Sequence, residues 1–149
     1  MRRVMPDAWP MPALNDKTRP FFTSGRILIQ TCEECGNGQH PPEDVCNRCQ
    51  GMRFDFREHS TRGTVYSHAE VAYPVSPVLA DVVPYVLVLI SLDDAPEIRI
   101  VGNLVPEARA EVRVGMPVRA VWAEVTMEEA GETYHLPQWV VDEDAARRS

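Results

Sequence analysis

A chain of 149 residues with 44% apolar residues is long enough for one domain, or two small ones, with a true hydrophobic core. Its net charge of −7, from 22 acidic and 15 basic residues, opposes general affinity for nucleic acid or anionic membrane. The longest apolar run, Val82 to Ile90, is interrupted by Pro84 and is too short to cross a bilayer. The charge is uneven: residues 1–62 sum to +1 and residues 63–149 to −8. No apolar run follows Met1-Arg2-Arg3, so no export signal is read and the cytoplasm is the expected location.

Residues 1–15, with Pro6, Pro10 and Pro12, read as an extended arm whose Trp9 and Met11 pack on the protein's own surface or on a partner. Asp16 is expected to cap a short helix holding Pro20, Phe21 and Phe22 and ending near Gly25. Arm and helix together make an N-terminal segment, 1–25. Two adjacent phenylalanines do not both face one core. One packs inward while the other meets a ligand or partner, or the arm covers both.

The region 26–62 opens with a β-rich stretch, Arg26 to Thr31, that leads into Cys32-Glu33-Glu34-Cys35. After ten intervening residues comes Cys46-Asn47-Arg48-Cys49, and Phe54 and Phe56 then alternate with polar residues in a half-buried strand from Arg53 to Glu58. Two C-x-x-C pairs at this distance supply four thiolates in the tetrahedral arrangement that Zn²⁺ takes in structural sites. Gly36 and Gly51 stand where the knuckles must turn, and Pro41-Pro42 stiffens the loop between them. The competing readings are two disulfides, which need an oxidising compartment, or a redox dithiol, which usually comes singly at a helix start. The pattern predicts a structural zinc ribbon with Cys32, Cys35, Cys46 and Cys49 as ligands, which leaves no cysteine as a nucleophile. His40, in the ribbon loop, reads as a surface residue.

Five short β segments follow: Gly63 to Val71, Tyr85 to Leu92, Ile98 to Leu104, Val118 to Val125, and Tyr134 to Val141. Asp93-Asp94-Ala95-Pro96, Gly115-Met116-Pro117 and the tip Glu128 to Glu132 are the turns between them. Five strands within about 80 residues predict a small closed or partly closed barrel over 63–142 with a flexible tail over 143–149, and the charged last residues, Asp142 to Ser149, are expected to fray. His40, His59, His68 and His135 are scattered. His68 and Glu70, two apart on a strand, share a face that suits either acid–base chemistry or plain solvation.

Several segments taken in order carry a resemblance. Arg-Pro-Phe-Phe, Gly25 to Gly36, Pro41-Pro42 and the second cysteine pair form its N-terminal part. Gly63 to Ser67, Pro84 to Leu87, Gly102-Asn103-Leu104 and Val114 to Val118 continue it. The chain resembles the domain of unknown function 35 family, from about Asp16 to Val141. The resemblance implies a mainly β protein: a short N-terminal helical segment, a rubredoxin-like zinc ribbon and a five-stranded OB-fold barrel. It also implies an accessory role beside acyl-CoA enzymes. The partner would be a thiolase-like or lipid-transfer-protein-like enzyme, including a retro-aldolase of steroid or lipid side-chain degradation, or a hydratase. Two copies would sit on an enzyme dimer, with a CoA thioester at the interface.

Three functional readings result. The first is a non-catalytic subunit of such an enzyme, meeting its partner or ligand through Trp9, Phe21, Phe22, Arg19 and Arg26. The second is a stand-alone CoA or acyl-CoA-binding protein, in which Arg19, Arg26, Arg48 and Arg53 meet the CoA phosphates. The third is a single-stranded nucleic-acid module with Tyr66, Tyr73 and Trp122 as stacking platforms, which the acidity of the barrel half opposes. The first is expected.

Overall fold

The computed structural model describes residues 1–148. Its elements are a helix α1 (Arg19–Thr23), strands β1 (Ile27–Cys32), β2 (Gly38–Gln39), β3 (Phe54–His59), β4 (Arg62–Val71), β5 (Tyr85–Leu92), β6 (Ala95–Leu104), β7 (Pro117–Met127) and β8 (Glu132–Val141), and a last turn of helix, α2 (Ala145–Arg148). Short 3-10 turns stand at Pro77–Leu79, Pro106–Glu111 and Glu128–Ala130. Among the described residues no helix is long and apolar enough to cross a membrane.

The first sheet has the order β2-β1-β3, and β1 runs antiparallel to β3 from Ile27↔His59 to Cys32↔Phe54. The second is a closed barrel of order β4-β5-β6-β8-β7. Closure comes from β4 against β7 and from one parallel pairing of β6 with β8, Leu104↔Trp139. Strand β5 alternates strictly, with Val86, Val88, Ile90 and Leu92 inward, the period expected of a strand packed on a core. A register shift between Val65 and Ser67 sets a bulge at Tyr66 in β4. The fold class is the expected one.

Ribbon and barrel share one core. Ile27 and Ile29 of β1 are fully buried in the same cluster as Ile90, Ile100 and Trp139 of the barrel. Gly38 of β2 lies so close to β6 that a Cβ there would stand 3.0 Å from Ile98 Cδ1. In the barrel, Gly102 leaves room for Trp139: a Cβ at position 102 would come within 2.7 Å of the indole Nε1.

Several local expectations are corrected. Asp16 does not cap α1. Asn15 Oδ1 instead accepts from the Lys17 and Thr18 backbone N–H groups at 2.9 and 3.0 Å, and Thr18 is the N-cap residue. An asparagine reaching its own chain two and three residues on outcompetes the aspartate for that turn. The turn after β5 is confined to Asp93-Asp94, since Ala95 already pairs with Leu92. Within the stretch expected to fray, Asp142 is 3% exposed and receives Arg62 Nη1 at 3.0 Å and Arg148 Nη2. The arm is folded: Arg3 donates to the carbonyls of Trp9 (3.1 Å) and Pro10 (3.2 Å), which curls the segment around one guanidinium.

Candidate metal centre and the cleft beside it

The four cysteine Sγ atoms all lie within 4.8 Å of one another. Cys32 and Cys49 are 3.6 Å apart, and Cys35 and Cys46 are 3.7 Å apart. Zinc–thiolate bonds of about 2.3 Å in tetrahedral geometry put neighbouring sulfurs roughly 3.8 Å apart, so the donor set suits Zn²⁺. Each pair sits on a hydrogen-bonded knuckle. Gly36 N–H donates to Cys32 O and Gln50 N–H donates to Cys46 O, both at 2.9 Å. Backbone N–H groups also reach the sulfurs: Arg48 to Cys46 Sγ and Gly51 to Cys49 Sγ, both at 3.4 Å.

Gly36 holds φ +77, the left-handed turn expected of it. At the second knuckle that conformation falls on Gln50, with φ 62, rather than on Gly51. Gly51 serves close approach instead: it is buried, and a Cβ there would stand 1.9 Å from Glu34 Oε2.

The thiols are electrostatically uneven. The backbone N–H of Cys49 lowers Cys46, against burial, to about 6. The Gly51 N–H lowers Cys49, but the neighbouring Cys35 thiol, burial, and the Cys32 and Cys46 thiols outweigh it and push that group up to about 12. Four thiols this close do not all ionise without a cation among them, which is the charge environment of a metal centre.

Two buried glutamines, which carry no distinguishing signal in sequence, organise the loop between the knuckles. Gln39 Nε2 donates to Gln30 Oε1 at 2.8 Å, and Gln39 Oε1 accepts from Asn47 N–H at 3.0 Å. Gln30 Nε2 donates to Glu43 O at 2.8 Å. The loop so held carries His40, which the sequence places on the surface. The structure instead stacks it on Phe21, with ring centroids 4.8 Å apart, and burial pushes its pKa down to about 4.

Of the five residues expected to meet a partner or ligand, three come together. Trp9, Phe21 and Phe22 line one cleft of about 380 Å³, between the arm, α1, the ribbon loop and the barrel strands β6 and β8. Phe21 is buried and Phe22 half-buried, edge to face with centroids 5.1 Å apart. The arm is pinned to β8, where Val4 N–H donates to Gln138 Oε1 at 2.5 Å, Gln138 Nε2 donates to Arg2 O at 3.0 Å, and Tyr134 Oη donates to Pro12 O at 3.0 Å. The two arginines are not in this cleft. Arg19 pairs with Glu132, and Arg26 lies 3.6 Å from Glu58 on an exposed edge. Elsewhere, Arg109 donates twice to Glu70, at 2.8 and 3.1 Å, and that hydrogen bonding holds the Glu70 carboxyl below its ordinary value. A carboxylate so engaged is a weak base, and its neighbour His68 faces solvent. Of the candidate stacking residues, Tyr66 lies under the Arg99 guanidinium, 3.8 Å from the ring centre, and Trp122 is half-buried.

A four-thiol ribbon fused through a shared core to a closed five-stranded barrel defines a zinc-ribbon/OB-fold protein. Residues 23–54 match the family model described as ChsH2, rubredoxin-like zinc ribbon domain, and residues 56–123 match ChsH2, C-terminal OB-fold domain. The chain belongs to this ChsH2-type DUF35 family. It is similar to a chain of the solved structure "Ltp2-ChsH2(DUF35) aldolase", with 31% identity, a TM-score of 0.71, and coverage of 88% of this chain and 98% of that one. It is 34% identical over 122 residues, 80% of its length, to a "Probable enoyl-CoA hydratase alpha subunit" of Thermomonospora curvata. It is 31% identical over 121 residues, 78% of its length, to the "3-oxo-4,17-pregnadiene-20-carboxyl-CoA hydratase alpha subunit" of Mycobacterium tuberculosis. The chain spans 37% of the length of each of these curated relatives.

Proposed function

We propose that this chain is an accessory subunit that binds and supports a thiolase-superfamily enzyme acting on acyl-CoA thioesters, and that it performs no chemistry alone. The observation that supports this reading best is the likeness of 88% of this chain to 98% of a chain of the "Ltp2-ChsH2(DUF35) aldolase". The steroid-CoA substrate in the name of one hydratase relative supports a retro-aldolase of steroid or lipid side-chain degradation as the enzyme served. Two copies on an enzyme dimer are the proposed assembly.

Cys32, Cys35, Cys46 and Cys49 are the proposed Zn²⁺ ligands, and the ion's task is structural. It ties the end of β1 to the loop that carries His40, with every thiol committed to the metal. Trp9, Phe21 and Phe22, with Arg19 and Arg26 on the neighbouring surface, are the proposed contacts to partner or ligand. The Glu70–Arg109 pair argues against base catalysis at His68 and Glu70.

The test is a pull-down of the tagged chain from its native cell lysate, with mass spectrometry of what binds, alongside thiolase, aldolase and hydratase assays of the chain alone. A stoichiometric thiolase-like or hydratase-like protein and an inactive isolated chain are expected. Turnover by the purified chain, lost in His68→Ala or Glu70→Gln but independent of any partner, would overturn the reading.

A further inference from the structure

We propose that the free edge of β3 pairs with the same edge of a second copy of this chain, antiparallel and centred on Phe56, so that two three-stranded ribbon sheets become one. The pairing needs no enzyme and stands whichever enzyme the chain serves.

Strand β3 ends the sheet β2-β1-β3, and among the described residues no strand lies on its outer side. The ladder decides which of its backbone groups face outward. Cys32 N–H donates to Asn37 O on the β2 side, and Glu33 N–H donates to Arg53 O on the β3 side. Backbone direction alternates along a strand, so Ile29 and Thr31 bond to β3 at their partners Arg57 and Asp55. Phe54, Phe56 and Glu58 therefore turn their N–H and C=O groups away from β1. Phe56 N–H donates to Asp55 Oδ1 of its own chain at 2.8 Å, in place of a strand carbonyl. An open edge with repeated outward donors and acceptors is a template for another strand.

The side chains commit this edge to a second copy. Asp55 and Arg57 are exposed, share one face of β3, and form no ion pair among the described residues. With Phe56 opposite Phe56 in an antiparallel pair, Asp55 of each copy faces Arg57 of the other. The hydrogen-bonded positions are then Phe56 against Phe56 and Phe54 against Glu58, the residues whose backbone already faces outward. Pairing hands the Phe56 N–H to the second copy's carbonyl and releases the Asp55 carboxylate to the facing guanidinium. Slipping the register by two residues is penalised in both directions: one slip sets Asp55 opposite Asp55, the other Arg57 opposite Arg57. On the opposite face, half-buried Leu28, Phe54 and Phe56 meet their counterparts and extend an apolar stripe across the junction. A contact that uses the same edge on both copies closes at two.

The full chain, prepared with Zn²⁺, is sedimented from micromolar to millimolar concentration at low and high salt, and its amide exchange is followed by NMR. A concentration-dependent dimer, weaker at high salt, is expected. Exchange of the Phe54, Phe56 and Glu58 amides should slow as the dimer forms, a readout of the wild type that needs no variant to fold. Asp55→Arg and Arg57→Asp each set like charges opposite one another at both pairs, and each alone should weaken self-association about tenfold. Mixed in equal amounts, the two variants regain both attractive pairs and should associate as the wild type does. A chain that stays monomeric at millimolar concentration, a dimer that protects other amides instead, or a mixture no more associated than its components would overturn the proposal. Protection of these three amides by a bound enzyme alone would also overturn it, and would assign the edge to that enzyme.

Discussion

Gly102 and Trp139 form a pair in which one residue's absence of a side chain makes the other's burial feasible. Trp139 is fully buried, and a Cβ at 102 would meet its indole edge at 2.7–2.8 Å. Gly102→Ala is therefore expected to cost about 1–3 kcal/mol through overpacking, read as a lower urea midpoint with an unchanged slope. His40 is a second residue whose setting matters. Its folded pKa of about 4 lies below the ordinary imidazole value of about 6.5. Between those values the unfolded chain binds the extra proton, so stability rises with pH across that window and is lost as pH falls through it. Denaturation at pH 7 and pH 5 should show the wild type losing more stability than His40→Phe, which keeps a ring against Phe21. Equal losses would mean that the imidazole is not the group responsible. At the metal centre, Cys32→Ser or Cys46→Ser should abolish metal binding and unfold at least the ribbon, because ligation and folding are coupled there. Metal analysis with circular dichroism checks this, and a metal-free, well-folded wild type would refute the structural role.

At the scale of elements, the N-terminal arm behaves as an extra layer on β8. Gln138 presents its amide edge to the arm backbone, accepting from Val4 and donating to Arg2, as a neighbouring strand would. Gln138→Ala removes both bonds and leaves backbone groups of the arm unpaired. A loss of about 1–2 kcal/mol is expected, together with faster hydrogen exchange confined to residues 2–12. Unchanged exchange in that segment would show that Arg3 and the prolines hold the arm without help. In sequence Gln138 follows Pro137 on a strand, and nothing local marks it as buried. Its side chain is bonded to the arm, a segment 134 residues away along the chain. The arm, legible as proline-rich and short of regular structure, gave no local signal of where it would dock.

Across the whole molecule, the ribbon and barrel are coupled by more than a linker. Ile27 and Ile29 belong to the barrel's core cluster, and Gly38 presses on Ile98. Removing metal with a chelator is thus expected to lower the melting temperature of the barrel as well as the ribbon, and two independent transitions would contradict the shared core. The far end is fastened by Asp142, between Arg62 of β4 and Arg148 of α2. Burial raises this carboxyl's pKa, but the Arg148 hydrogen bond and the charges of both arginines outweigh it and hold the group below its ordinary value. A depressed carboxylate contributes stability that is present above the unfolded value, about 3.9, and lost as pH falls through the folded one.

The sequence by itself determined the features that depend on near neighbours. The spacing of Cys32, Cys35, Cys46 and Cys49, the two-residue alternation of the strands and most of the turns between them act over a few residues, and each is written into the local pattern. Tyr85–Leu92 is the strand with the strongest alternation, and its bounds are those expected. Only the tertiary structure decided which surfaces those elements would share. The stacking of His40 on Phe21, the glutamine pair beneath the ribbon loop, the pairing of Glu70 with Arg109 and the cleft under the arm all join side chains from separate elements. Such contacts follow from how the sheets pack, and a polar residue that packing buries reads, in sequence, like one that faces water.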